Sequence, residues 1–231
     1  MTPSHDAAHL ADLAELLQGE FDTPITGDRI VANAVHLVPD AAHASLTMRR
    51  HGHDSSLGST SATAADADAL QYRLDEGPCV DAVENAEFFR SGDVAHDHRW
   101  PTWGPRAAAL GIGSVLSIRL LSQGRPMGAL NLYSDETGGF ADAEGRDLAL
   151  IYATHAALAL TSSRVATDLE TAVSSRHLIG MAQGVIMERY RVGPDEAFAV
   201  LRRLSSIHNV KVRDLADQIV RTREVPLGVD R

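Results

Sequence analysis

One cysteine, Cys79, and one lysine, Lys211, are all that this 231-residue chain carries of either type. A lone cysteine cannot close a disulfide within the chain, so a reducing compartment is expected and the fold must stand on packing. Aromatic residues are scarce at 5%, yet 44% of residues are hydrophobic, which supplies a core for one large or two ordinary domains and excludes disorder as the default. No apolar run approaches the roughly 20 residues that span a bilayer, and the chain does not open with a basic segment followed by an apolar one. A soluble, cytoplasmic protein without membrane contact is the expectation. Glycine-rich phosphate loops, metal-ligand helix motifs and nucleophile elbows are missing too, so the sequence does not read as an enzyme. His51-Gly52-His53 and His96-Asp97-His98 each space two imidazoles along an extended segment, but neither pair has a third ligand, and no metal or other cofactor is expected.

Positive charge is also in short supply, with a net charge of −10, and it is unevenly spread. Residues 1–167 hold 11 Lys/Arg against 22 Asp/Glu, whereas residues 176–223 hold 9 against 5. A phosphate backbone is attracted by local potential rather than by net charge, so the C-terminal segment is where a polyanion would bind. The same asymmetry also fits ordinary variation between solvated faces.

Apolar residues recur at helical spacing over Ala7–Leu17 and again over Ile25–Val38. Ala44–Met48 reads as a short strand, Asp54–Thr63 as a loop or edge hairpin, and Ala64–Leu74 as a helix that ends at the Asp75-Glu76-Gly77-Pro78 turn. Ser114–Leu121 and Met127–Tyr133 are strand-like runs joined by a hairpin signal, Ser122-Gln123-Gly124-Arg125-Pro126, and form the centre of an antiparallel sheet. No proline occurs between Pro126 and Pro194, and from Ala141 onward the pattern is helical over a long stretch. A broad apolar surface over Ala149–Leu160, Ile151 and Leu158 included, reads as packing on the sheet. It narrows to Val165, Leu169 and Val173, which form either a coiled-coil seam between two subunits or one side of a plain connector helix.

Beyond Arg176 three helices are expected. The first, Arg176–Tyr190, has an apolar face of Leu178, Ile179, Ala182, Val185 and Ile186, and a second face that carries Arg176, Gly180, Gln183 and Gly184. Each mid-helix glycine costs about 1 kcal/mol relative to alanine, so two of them one turn apart call for a close approach by another helix or by a ligand. Gly193-Pro194-Asp195-Glu196 starts a second helix that buries Ala197, Phe198, Leu201 and Leu204. Asn209 suits the cap of a third, with Lys211 in its first turn. Arg202, Arg203, Ser205, Ser206, Asn209 and Lys211 then surround one helix corner able to meet phosphates or loop bases. Alternatives stay open for each: the arginines as a solvated face, Ser205 bonded to its own helix backbone, the glycines as helix packing. Three short helices with a basic corner equally describe a DNA-reading helix-turn-helix, so a ligand-responsive DNA-binding regulator is the competing reading.

The run Arg176–Val220 resembles an ANTAR domain, through Ile179-Gly180, Ala182-Gln183-Gly184, Ile186-Met187, Asp195-Glu196-Ala197-Phe198, Leu201-Arg202, Ser205 and Asn209. Gln183 stands where many relatives carry lysine. The resemblance implies an RNA-binding antiterminator that dimerises and holds a pair of RNA stem-loops. Residues from about 10 to 165 resemble a GAF domain, through Leu70–Val83, Asp97–Pro101, Leu110–Leu121, Gly128–Ser134 and Gly138–Leu160. That implies an α+β fold, an antiparallel sheet flanked by helices, with room for a small-molecule ligand. GAF followed by ANTAR resembles an actinobacterial type of transcription antitermination regulator.

The expected organisation is therefore a GAF-like sensor over residues 1–160, a helical linker over 161–175, an ANTAR module over 176–225 and a tail over 226–231. A homodimer is expected, with RNA bound through Arg176, Gly180, Gln183, Gly184, Arg202, Arg203, Ser205, Ser206, Asn209 and Lys211. Cys79, following Gly77-Pro78 at a helix start, is either a redox sensor with a lowered thiol pKa or a small buried hydrophobe.

Overall fold

The structure, a computed structural model, describes residues 27–50 and 52–226. The helix expected over 7–17, His51 and residues 227–231 of the expected tail lie outside the described residues. The chain divides into two compact units, Met1–Ser163 and Arg164–Arg231.

The first unit is built on a five-stranded antiparallel sheet of β1 (His43–Arg50), β2 (His53–Ser59), β3 (Phe88–Ser91), β4 (Ser114–Ser122) and β5 (Arg125–Ser134), in the order β2-β1-β5-β4-β3. Asp54–Thr63 thus contributes an edge strand. Gln123 and Gly124 both adopt positive φ, 51° and 75°, which closes the β4–β5 hairpin in two residues with the twist that flanking strands require. Pro126, which has no N–H to give a ladder, pairs with Leu121 where the register shifts.

Period-two alternation sorts the sheet into two chemically different faces. Leu46 pairs with Leu130 and Leu130 with Ile118, and these join Ala44, Leu132 and Leu116 on an apolar face. α1 (Gly27–Leu37) covers that face with Ile30, Val31 and Ala34, together with Ala149, Tyr152, Ala153, Ala156 and Leu160 from the start of α5 (Ala143–Tyr190). The opposite face carries Ser45, Thr47, Asn131, Tyr133 and Ser117, all buried. It lies under α2 (Ala62–Leu74), α3 (Pro78–Asn85) and α4 (Trp103–Ala109), with Trp100, Trp103, Val115 and Ile112 in its apolar part. The residues of the GAF resemblance tie this layer together. Glu76 Oε1 accepts the N–H groups of Thr102 and Trp103 at the start of α4, at 2.6 and 2.7 Å. Trp100 Nε1 donates to Asp81 at 2.7 Å, and the Arg99 guanidinium lies 4.4 Å from the Trp100 ring centroid.

The second unit takes residues of α5, α6 (Pro194–His208) and α7 (Val212–Thr222) around Ala182, Ile186, Ala197, Leu201, Leu204, Leu215, Ala216 and Ile219. The helix expected from Arg176 is the end of α5, which runs without interruption because nothing in it breaks the ladder. Pro194 occupies the first turn of α6, and Gly193 N–H donates to Glu196 at 3.1 Å.

Sheet closure at β5 depends on Gly128, where a Cβ would lie 1.9 Å from the Thr47 carbonyl oxygen. Gly128→Ala is expected to lower the stability of the first unit by roughly 3 kcal/mol, the upper end of ordinary single-residue effects. Urea unfolding followed by Trp100 and Trp103 fluorescence measures it, and an unchanged midpoint would disprove the constraint.

Candidate nucleic-acid interface and sensor face

In the second unit the arginines fall into two groups. Arg213 pairs with Asp214 at 3.4 Å, and Arg221 with Asp217 one turn earlier on α7. Arg176, Arg202, Arg203 and Lys211 are exposed and have no carboxylate partner among the described residues. Arg202, Arg203 and Ser206 lie on the exposed outer side of α6, with Asp195, Phe198 and Ile207 along it. Phe198, expected in the core, is 37% exposed, because Ala197, Leu201 and Leu204 already fill the inward stripe.

Other expected site residues have work inside the module. Gln183 is half-buried and donates from Nε2 to the Pro194 carbonyl at 3.1 Å, which ties α5 to the start of α6. Ser205 is buried, and its hydroxyl donates to the Val210 carbonyl at 2.6 Å. Asn209 closes α6 in the left-handed conformation at φ 51° instead of capping α7, whose N-cap is Lys211. Gly180 and Gly184 are exposed, and a Cβ at either would meet nothing within 4 Å. Their smallness is therefore unused within the described residues. Arg202 and Arg203 thus share the outer side of α6, while Lys211 stands exposed at the start of α7.

In the first unit the polar sheet face centres on Asp68, a fully buried carboxylate on α2. Tyr133 donates to its Oδ1 at 2.6 Å and Asn131 Nδ2 at 3.1 Å, while the Tyr72 hydroxyl stands 2.7 Å from Thr47 Oγ1. Gln71 donates to the Tyr133 oxygen at 3.1 Å and accepts the Cys79 N–H at 2.7 Å. Desolvation pushes the Asp68 carboxyl up to about 6, against the hydrogen bonds from Tyr133, Ser45, Asn131 and Tyr72 that favour the anion. Asn131 Oδ1 and Ser117 Oγ, on paired residues of β5 and β4, are buried without a partner. No sequence signal had set Asp68 apart, since a lone carboxylate on a mixed helix reads as solvated.

Of the two readings of Cys79, the structure favours the small buried hydrophobe. Its side chain is fully buried against Val83 and Ala129, and its thiol donates to Thr47 Oγ1 at 3.2 Å. Burial, with Asp68 nearby, pushes the thiol up to about 12, the reverse of what a thiolate sensor needs. His96, of the second histidine pair, bonds Asp93 at 2.8 Å. No group of three or more metal-binding side chains is found among the described residues, and no helix there is long and apolar enough to cross a membrane.

A sheet domain with one polar face is thus followed by a helical module that carries exposed arginines. The GAF domain model matches residues 22–161 and the ANTAR domain model residues 167–220, so the chain belongs to the GAF family and carries an ANTAR domain behind it, the architecture of a GAF–ANTAR regulator. These are sensor and RNA-binding antitermination domains, regulatory in type. Among solved structures, the GAF domain of a phosphoenolpyruvate-protein phosphotransferase from Coxiella burnetii is 16% identical, with a TM-score of 0.57 over 72% of this chain and 99% of that one. The corresponding GAF domain from Acinetobacter is 11% identical, with a TM-score of 0.54 over 71% and 97%. A phytochrome photosensory core module from Stigmatella aurantiaca is 10% identical, with a TM-score of 0.60 over 89% of this chain and 46% of that one. At these identities the likeness concerns the fold alone. No curated protein matches the chain.

The buried carboxylate gives a pH signature with a definite sign. Between the ordinary value of 3.8 and about 6 the native Asp68 holds a proton that the unfolded chain has released. Its contribution to stability is full below that range and is lost as the pH rises through it. Asp68→Asn is expected to flatten the stability profile between about pH 4 and pH 7 by on the order of 3 kcal/mol. Urea unfolding across that range tests this; parallel profiles for the two proteins would refute it.

Proposed function

We propose that the protein is a cytoplasmic, homodimeric antitermination regulator in which a signal sensed by the GAF domain changes how two ANTAR modules present their basic surfaces to a pair of RNA stem-loops. The observation that carries this reading is the exposed, unpaired set Arg202, Arg203 and Lys211 on a chain that is acidic elsewhere. Supporting the dimer, Val165, Leu169 and Val173 are 61, 63 and 58% exposed. Ile151 and Leu158, expected to pack on the sheet, are exposed as well and precede Val165 at intervals of seven residues. The sevens from Ile151 to Val165 and the step of four to Leu169 fit the d and a positions of a two-stranded coiled coil, with Val173 beside the seam. The signal is assigned to the polar sheet face, where Asn131 Oδ1 and Ser117 Oγ are buried with no partner among the described residues. A ligand seated there shifts the pH midpoint of Asp68; one bound elsewhere leaves it in place.

Two experiments test the reading. Filter binding should show retention of a dual stem-loop RNA over duplex DNA of equal charge, with a salt slope that falls by about one for each of Arg202→Ala, Arg203→Ala and Lys211→Ala. Preference for a palindromic duplex would replace it with the DNA-binding alternative, and no salt-dependent binding would discard nucleic acid altogether. Leu169→Glu should turn a dimer into a monomer in sedimentation equilibrium, since it puts a charge at a seam position; a wild-type monomer would remove the proposed coupling.

A further inference from the structure

We infer that the exposed face of α6 around Phe198 is a base-binding site, in which one unpaired base of the RNA loop stacks on Phe198 while Arg202, and beyond it Arg203, hold the adjoining phosphates. The inference rests on the RNA reading above and says which part of the RNA the module grips.

In a chain with 5% aromatic residues, a phenylalanine stands at the outer border of an amphipathic helix whose core stripe is complete without it. It is 37% exposed, so part of its ring is open to solvent. Arg202 follows Phe198 by four residues, the spacing that sets two helical side chains side by side, and Arg203 stands further round the same side of the helix. Neither guanidinium has a partner among the described residues.

The same face also discriminates between parts of a nucleotide. A site for phosphate alone is made of donors, yet Asp195, one turn before Phe198 on the same helix, presents an acceptor. A carboxylate there repels phosphate and accepts the N–H groups on the edge of a base. Aromatic face, carboxylate and guanidinium together match a base with its backbone rather than a bare anion.

The test uses the full-length protein and the dual stem-loop RNA. Phe198→Leu keeps the apolar bulk and removes the ring face; it is expected to weaken binding about tenfold or more with the salt slope unchanged. Phe198→Trp should bind at least as tightly as the wild type. Replacing each loop nucleotide in turn by an abasic one should find one position at which the wild-type protein loses the same factor and Phe198→Leu loses nothing further. Circular dichroism melts establish that both variants are folded. If the wild type binds the RNA and Phe198→Leu binds equally well, the stacking site is overturned while the RNA reading stands. Losses that simply add at every loop position would overturn the stacking site in the same way. If the wild type does not bind the RNA, both fall together.

Discussion

Everything in this chain is organised around one uninterrupted helix, Ala143–Tyr190, and the constraint that makes it possible is the absence of proline between Pro126 and Pro194. Near its start it turns Tyr152, Ala156 and Leu160 into the core of the sheet unit, where the Tyr152 hydroxyl donates to the Ile30 carbonyl at 2.7 Å. Near its end it turns Ala182 and Ile186 into a different core, with α6 and α7. A helix is held by the apolar face it buries more than by its own propensity. Between these two anchored stretches it has only an exposed stripe, Val165, Leu169 and Val173, to offer to a neighbour.

The sheet unit makes a second unusual commitment by keeping a polar interior on one face. An apolar layer of the same volume would be at least as stable, since a buried carboxylate recovers its desolvation cost only through well-placed donors. Asp68 has such donors in Tyr133 and Asn131, yet Asn131 Oδ1 and Ser117 Oγ beside it go unanswered. Low local dielectric strengthens the bonds that are made and raises the cost of those that are not. The apolar face, by contrast, has Leu46, Leu116, Ile118, Leu130 and Leu132 in contact with two helices. One face is thus an apolar core and the other a buried polar network.

Much of this was legible in the sequence because it rests on local signals. Gln123-Gly124 between two β-branched and leucine-rich runs announces its hairpin, and Gly193-Pro194-Asp195-Glu196 announces a helix start. β3 and α4 were not foreseen as elements, and of α3 only the start at Gly77-Pro78 was, since eight, four and seven residues are too few for a period to show. Phe198 and Ile151 show a different limit: each sits at the border of an apolar stripe, and only the completed packing decides which side it takes. Gln183 and Ser205 were read as outward-facing because nothing in sequence says that the Pro194 and Val210 carbonyls come within their reach. At Cys79 a helix start argued for an acidic thiol, and full burial outweighed it.

Gly180 and Gly184 have a mechanical consequence for the helix that contains them. A methyl group would fit at both without contact, so alanine there would strengthen the helix by about 1 kcal/mol each at no steric cost. The sequence leaves that stiffness unclaimed at two points one turn apart. The helix over residues 178–187 is therefore held by the packing of Ala182 and Ile186 against α6 and α7 rather than by its own propensity.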